Sequence, residues 1–292
     1  AARGAGGLAD LNGMFAFAWL DPVRQRLLLA RDPFGIKPLY YAVSGHRLAF
    51  ASELAALRTL LPAEVDADSI GLALRLRYLP APFTLYRDVR KLRPGHFLEV
   101  DLAGAVPVVR ERPFGTAAAT APSTLSLPEA TDRYAQLLRQ AVERQLMADT
   151  EVGILLSGGL DSALVARYAR DAVPGRLRAF TVGFEGQYAE NEIEAARATA
   201  SALGIACEAR VVTLDDFLGA LQRVVRVVEE PLATTSVVPM EFLAGLAAEH
   251  VKVVLSGQGA DEPLGGYARY RGYLIAGRVP PFLGRLLGRV AA

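Results

Sequence analysis

The sequence is poor in the residues that announce disulfide, zinc or membrane chemistry. Cys207 is its single cysteine, so no disulfide can close within the chain, and a reducing compartment is the natural setting. The three histidines, His46, His96 and His250, show no ligand spacing, so no zinc site is expected. No apolar run reaches the roughly 18 residues that span a bilayer. The opening AARGAGGLADLNG has no basic segment followed by an apolar one, so no signal peptide is read there. A soluble, cytoplasmic protein with no membrane contact is expected. The formal charge is only +1, which gives no electrostatic reason to expect a nucleic-acid partner. There is no internal repeat. What the chain has is apolar bulk: 52% hydrophobic against 22% charged over 292 residues, enough for packed cores and, by length, for two domains.

The two halves differ in texture. In the first, GMFAFAWLD alternates, QRLLLARD and KPLYYAV are short apolar runs, and RLAFAS follows a Ser-Gly turn; all read as strands. SELAALRTL and DSIGLALRLRYL have helical spacing, with Ser52 and Asp68 as N-caps. PGHFLEVDLAGAVPVV reads as a hairpin turning at Ala103-Gly104. The Ala-, Thr-, Pro- and Ser-rich stretch that follows is read as a linker, 113–127, between domains 1–112 and 128–292. Beyond it, strands EVGILL, RLRAFTVGF, CEARVVTL and VKVVLSG alternate with amphipathic helices. The fold class is α/β: a strand-rich α+β domain, then a doubly wound parallel sheet. The tail RVPPFLGRLLGRVAA has the composition of a basic amphipathic helix.

Open parallel sheets bind ligands beyond the carboxyl ends of their strands. Two strands here end in similar residues. ILL runs into Ser157-Gly158-Gly159-Leu160-Asp161-Ser162, and VVL into Ser256-Gly257-Gln258-Gly259-Ala260-Asp261-Glu262. Glycines let backbone N–H groups approach a ligand, and a helix N-terminus adds positive potential. Ser157 and Ser162 add hydroxyl donors, which makes an anion cradle suited to phosphate. Asp161 would repel a bare phosphate, so its presence implies Mg²⁺ between them, and Asp261 could reach the same ion. The stretch is not a Walker A loop, for it lacks the spaced glycines and the Lys. The plain alternatives are a strand-to-helix turn with Asp161 as N-cap, and a glycine-rich loop with a solvated Asp261-Glu262 pair.

LLSGGLDS resembles the pyrophosphate-holding loop of the ATP pyrophosphatases, and VVLSGQGADEPLGGYARY resembles the asparagine synthetase signature within that superfamily. EEPLATTSVVPMEFLAGLA and FTVGFEGQYAENEIEAARATASALG are similar to the same family at matching spacing. LNGMFAFAWLD, LLLARDPFGIKPLYY and LAFASELAAL resemble the second half of a class II glutamine amidotransferase domain, an Ntn-type sandwich. The resemblance implies an enzyme that adenylates the side-chain carboxylate of aspartate with ATP, releases pyrophosphate, and uses ammonia from glutamine to form asparagine and AMP. It implies small-molecule substrates and leaves a homodimer open. By position, Leu156 and the loop Ser157, Gly158, Gly159, Leu160, Asp161 and Ser162 would contact ATP. Val182 would meet adenine or ribose, Ser256 and Gly257 the AMP portion, and Tyr267 the same pocket. Asp161 and Asp261 would bind Mg²⁺, with Gln258 and Glu262 at catalytic positions.

The resemblance also has gaps. The family's amidotransferase begins with a catalytic Cys, whereas this sequence begins Ala1-Ala2-Arg3, so no glutaminase nucleophile and no glutamine hydrolysis are expected of the sequence as given. It reads as a stretch of a longer chain, cut at both ends. Gln258 stands where many members have Glu; it keeps hydrogen bonding and loses charge, which points either to altered adenylation chemistry or to another acceptor. An amide-forming or cyclising relative acting on another carboxylate is the second reading, and a non-catalytic nucleotide-binding module the third. Cys207 is read as a small buried strand residue. In RDPFGIKPLYY the choice lies between a place near an ammonia channel and a tight turn with Arg31 paired to Asp32 and Lys37 exposed.

Overall fold

The computed structural model describes residues 4–62, 64–115, 123–186, 191–231, 234–267, 270, 272 and 274. Two compact units emerge, Ala1–Ser123 with Ala220–Thr235, and Thr124–Gly219 with Ser236–Ala292. Part of the linker read at 113–127 and the whole tail from 278 lie outside the described residues.

In the first unit the alternating runs become β1 (Ala16–Asp21), β2 (Arg26–Arg31), β3 (Tyr40–Ser44) and β4 (Arg47–Ala51), followed by α1 (Leu54–Leu60), α2 (Ala67–Leu76), β5 (Val89–Lys91), β6 (His96–Asp101) and β7 (Val108–Pro113). Two antiparallel sheets result, in the order β1-β2-β6-β7 and β4-β3-β5. Side chains alternate across β2 and β6, as a pleat requires. Leu27, Leu29, Leu98 and Val100 meet Leu39, Tyr41 and Leu92 between the sheets, whereas Leu28, Ala30 and Phe97 pack with Phe15, Phe17 and Phe114 on the other face. Helix α1 covers the smaller sheet through Leu54 and Leu57. The hairpin at Ala103-Gly104 is present between β6 and β7. The short β5 has no periodic signal of its own, and only its pairing with β3 makes it a strand.

Three local expectations need correction. Helix α2 is capped by Asp66, not Asp68: the Asp66 carboxylate accepts the Ser69 N–H at 3.3 Å and the Ser69 hydroxyl at 2.7 Å. A cap sits two or three residues ahead of the amide it serves, and Asp68 already lies inside the first turn. Helix α1 is not capped by Ser52. Its N-cap position is Glu53, and the first amides, Leu54 and Ala55, donate to the Glu229 carboxylate at 2.7 and 2.6 Å, across 175 and 174 residues of chain. Arg31 and Asp32 do not form the expected ion pair. The buried Asp32 carboxylate accepts the N–H groups of Phe34, Ile36 and Lys37 at 3.0–3.1 Å. Arg31 donates to the carbonyls of Lys37, Leu92 and Gly35 at 2.7–2.8 Å. A buried turn has backbone groups to satisfy, and the two charged side chains satisfy them. Lys37 is exposed, as that reading of the turn has it.

Glu229 sits at φ 60°, a strained conformation for a residue with a Cβ. The next residue, Glu230, pairs with Lys91 at 2.7 Å, with both side chains largely buried. Lys91 also donates to the Leu79 carbonyl. Burial pushes the Glu230 carboxyl above the usual carboxylate range, more than the Lys91 ammonium pulls it down. Burial and then Glu230 push the neighbouring Tyr40 phenol up to about 12.

The second unit contains α3 (Leu127–Gln145), β8 (Val152–Leu155), α4 (Leu160–Ala172), β9 (Arg178–Phe184), α5 (Ile193–Leu203), β10 (Ala206–Val212), α6 (Leu214–Val228), α7 (Val237–Ala248), β11 (Val253–Leu255) and α8 (Asp261–Leu264). From Ala220 onward α6 belongs to the first unit. Helix α3 opens on a capping box, Ser126 with Glu129, and α5 closes at Gly204 in the left-handed conformation. The strands are all parallel, in the order β10-β9-β8-β11. Helices cover both faces. Ile154, Leu156, Ala179 and Leu255 pack with Val165, Ala166, Ala196 and Ala200 from α4 and α5. Phe180 and Val182 turn the other way, onto Leu243 and Ala247 of α7. Cys207, on β10, is half-buried against the first of these cores, and burial pushes its thiol up.

Two stability predictions arise from these contacts. Glu230→Ala leaves Lys91 in its largely buried place without its charge partner, and should lower unfolding free energy in chemical denaturation by about 3 kcal/mol; a loss under about 0.5 kcal/mol would mean the pair is structurally idle. The Cys207 thiol, shielded and held protonated, should react with an aromatic disulfide at least about tenfold more slowly in the native than in the unfolded chain.

Candidate functional site

The chain enters the parallel sheet at β8, moves outward through β9 and β10, then returns to the other side of β8 as β11. The direction of travel therefore reverses between β8 and β11, and a reversal of this kind leaves a crevice at the carboxyl ends of the two strands. The register places Leu255 beside Ile154, so the Ser157–Ser162 and Ser256–Asp261 loops leave the sheet side by side. They pack in contact. A Cβ on Gly257 would stand 2.6 Å from the Ser162 nitrogen and 2.9 Å from the Asp161 carbonyl carbon, distances no side chain tolerates. Only glycine admits this approach.

A cavity of about 260 Å³ opens at this junction. Of the residues expected at the site from sequence, Leu156, Ser157, Gly159, Asp161, Ser162, Val182, Ser256, Gly257, Gln258 and Asp261 line it. Gly158 and Leu160 belong to the same loop but are not among the lining residues, and Leu160 borders a second cavity of about 240 Å³ that shares Asp161 and the residues 256–259. Glu262 and Tyr267 line neither cavity; they bond to each other, the Tyr267 hydroxyl donating to Glu262 Oε1 at 2.9 Å.

The first loop is held from within. Ser162, buried at the start of α4, stands 2.8 Å from Ser157 Oγ, accepts the Ser157 N–H at 3.2 Å and donates to the Gly159 carbonyl at 3.1 Å. The Gly159 N–H in turn donates to Ser157 Oγ at 3.1 Å. Ser162 is thus the staple of the loop, with its hydroxyl turned inward. The cap of α4 is Gly159, and Asp161 lies in its first turn, so the plain reading of Asp161 as N-cap does not hold. The Leu156 amide is taken by the Phe180 carbonyl at 2.9 Å. In the second loop the Gln258 N–H donates to Ser256 Oγ at 3.3 Å.

Among the described residues, three carboxylates line the first cavity, Asp161, Glu192 and Asp261, and no Lys, Arg or His does. Among the described residues no group of three or more His, Cys, Asp or Glu is placed to hold a metal ion by itself. Two aspartates at one cavity offer hard oxygen donors of the type Mg²⁺ takes when other ligands come from phosphate and water. The donor set fits that ion: a polyanion could enter a cavity whose described lining is acidic only with its charge offset. No helix of the described residues is long and apolar enough to cross a membrane.

Sequence reasoning missed Thr181, Glu192, Met240 and Leu243, which also line the cavity. Thr181 is the middle residue of β9 and Glu192 the N-cap of α5, and their place at the cavity follows only once β9 is known to border β8. Met240 and Leu243 come from α7, and no local signal tells which face of that nearly uniformly apolar helix meets a ligand.

Comparison with known proteins finds matches to both halves of the chain. The family model for asparagine synthase matches residues 133–289, and that for the glutamine amidotransferase domain matches residues 1–110. A Mycobacterium tuberculosis protein described as a glutamine-hydrolysing asparagine synthetase is 42% identical over 270 residues, 90% of this chain and 41% of the relative. Asparagine synthetase (glutamine-hydrolysing) 1 of Bacillus subtilis is 34% identical over 290 residues, 97% of this chain and 45% of the relative. The chain thus spans less than half the length of these relatives. Among solved structures, the ammonia-dependent NAD synthetase of Campylobacter jejuni aligns with a TM-score of 0.34 at 21% identity, covering 47% of this chain and 60% of that one. With the asparagine synthase model covering more than half of the sequence and the amidotransferase model most of the remainder, the chain belongs to the asparagine synthase family.

Proposed function

We propose that the cavity at the β8–β11 junction binds ATP and activates a carboxylate for amide formation. The observation that carries this reading is the packing of the two Ser-Gly loops against each other, with Asp161 and Asp261 lining one cavity. The Ser157–Ser162 loop holds the phosphates, Val182 borders the adenine or ribose, and Ser256 and Gly257 hold the AMP portion. Asp161 and Asp261 supply the oxygens that would hold Mg²⁺, whose charge offsets the negative charge gathering on the departing pyrophosphate.

A carboxylate is a poor acyl donor, because its leaving group would be an oxide. One carboxylate oxygen attacks the α-phosphorus of ATP, and the bond to the β-phosphate oxygen breaks with release of pyrophosphate. In the adenylate so formed, that oxygen now leaves as AMP. Ammonia adds to the acyl carbon, loses a proton and expels AMP, which gives the amide. The loop's contribution is to place attacking oxygen and phosphorus in line in a site already ordered by the Ser162 staple.

The proposed acceptor is the side-chain carboxylate of aspartate, with asparagine as product. The ammonia is proposed to come from glutamine in the whole protein, the match over residues 1–110 being to an amidotransferase domain. The reaction is proposed to take place in the cytoplasm. Gln258, uncharged and lining both cavities, supports a second reading in which another carboxylic acid is the acceptor. Glu262 and Tyr267, bonded to each other outside the cavity, are proposed to act together at the end of the second loop.

The full-length protein, given ATP, Mg²⁺ and ammonia, should release pyrophosphate when supplied with the right acid from a panel of carboxylates. Release that depends on aspartate establishes the first reading, release only with a different acid establishes the second, and ATP binding without release for any acid removes both. Asp161→Asn and Asp261→Asn should each lower pyrophosphate release by about a hundredfold or more, the scale of losing one carboxylate of a metal site in catalysis. Gly257→Ala, which forces the loops apart, should lower it at least about tenfold, since small displacements of positioned groups carry penalties of that order.

A further inference from the structure

Of the three carboxylates lining the cavity, Glu192 is the one that touches the anion cradle from outside the loop. The Gly158 N–H donates to Glu192 Oε2 at 3.1 Å. Its neighbours in the loop, the amides of Ser157 and Gly159, are held by the neutral hydroxyls of Ser162 and Ser157. Gly158 is pressed against the start of α5: a Cβ there would lie 3.0 Å from Ala195 Cβ and 3.4 Å from Glu192 Cβ. The backbone of Glu192 is pinned, since its carbonyl accepts the Ala196 N–H at 2.9 Å and the Asn191 side chain donates to the Phe184 carbonyl at 3.0 Å. The Glu192 side chain itself is exposed. It can swing into solvent without disturbing the helix.

We infer that Glu192 is a positioning residue, a built-in carboxylate that occupies the Gly158 N–H until a phosphate oxygen takes it and that makes phosphate entry dependent on a divalent cation. The inference rests on the nucleotide site proposed above. A backbone N–H serves one strong acceptor at a time, so a phosphate oxygen can bond Gly158 only after Glu192 lets go. The displaced carboxylate stays within its side-chain length of the incoming anion. Asp161 and Asp261 also line the cavity, and among the described residues no cationic side chain lines it to offset the repulsion. A bound cation removes it. While the site is empty, the same carboxylate holds the loop in its donor-out geometry at no cost in buried charge.

The test is equilibrium binding of ATP to the full-length protein by calorimetry, with EDTA and again with excess Mg²⁺, for the wild type, Glu192→Gln, Glu192→Ala and Glu192→Asp. Gln keeps the length and the acceptor oxygen but not the charge, Ala keeps neither, and Asp keeps the charge. In EDTA, Glu192→Gln and Glu192→Ala should both bind ATP about tenfold tighter than the wild type, the scale of one nearby charge at a solvent-exposed site. Glu192→Asp should stay within about threefold of the wild type, and Mg²⁺ should shrink every difference to about threefold. A side chain that only braced the loop would give the opposite order, with Ala weakest under both conditions. Equal EDTA affinities for the wild type and the two uncharged variants overturn the inference while leaving the nucleotide site standing. Absence of ATP binding by the wild type with Mg²⁺ overturns the nucleotide site and this inference with it. Should Glu192→Gln fail to fold, Glu192→Ala carries the same comparison.

Discussion

The site depends on one close approach: the backbone at Gly257 lies against the peptide joining Asp161 to Ser162. Everything that gives the cavity its character follows from that contact. It brings the end of β11 against the first turn of α4 and sets two aspartates, 100 residues apart in sequence, at the edge of one cavity. It requires glycine at 257, because any Cβ would meet main chain, which cannot yield as a flexible side chain could. It also needs a firm partner, and the Ser162 hydroxyl provides one by binding the loop to itself at several points.

The charge of the cavity is as informative as its shape. Among the described residues acidic side chains line it and basic ones do not, an arrangement that would be self-defeating for a phosphate site unless a cation accompanies the ligand. The first unit handles charge in the opposite way, by spending it on its own backbone. Asp32 is fully buried, and its carboxylate takes three amides of the turn that follows it. Arg31 takes three carbonyls of the same region. These two side chains make that turn a fixed structure, whereas Glu192 is exposed and holds a single loop amide, that of Gly158.

Membership in the asparagine synthase family rests on both halves of the chain, and the structure gives each half a separate architecture to match. The segment from Ala220 to Thr235 is the exception to that division, since it leaves the second half in sequence and packs within the first unit. Glu229 and Glu230 anchor it there, one through the open amides of α1 and the other through Lys91. The strained backbone at Glu229 is the conformation in which consecutive carboxylates reach these different partners.

Periodicity and end signals in the sequence were enough to determine the alternating strands and helices of the second half, the stop at Gly204 and the two Ser-Gly loops at strand ends. These are decided by residues within a few positions of one another, and a linear reading reaches them. The α1 cap, the strand β5, the fate of Arg31 and Asp32, and the places of Glu192 and Met240 escaped it, because each depends on a partner distant in sequence or on which helix face turns inward. Above all, nothing local says that β11 returns beside β8 rather than beside β10. Strand order is settled by which apolar faces can be buried together once the whole sheet is assembled, and that assembly alone turned two similar loops into one cavity.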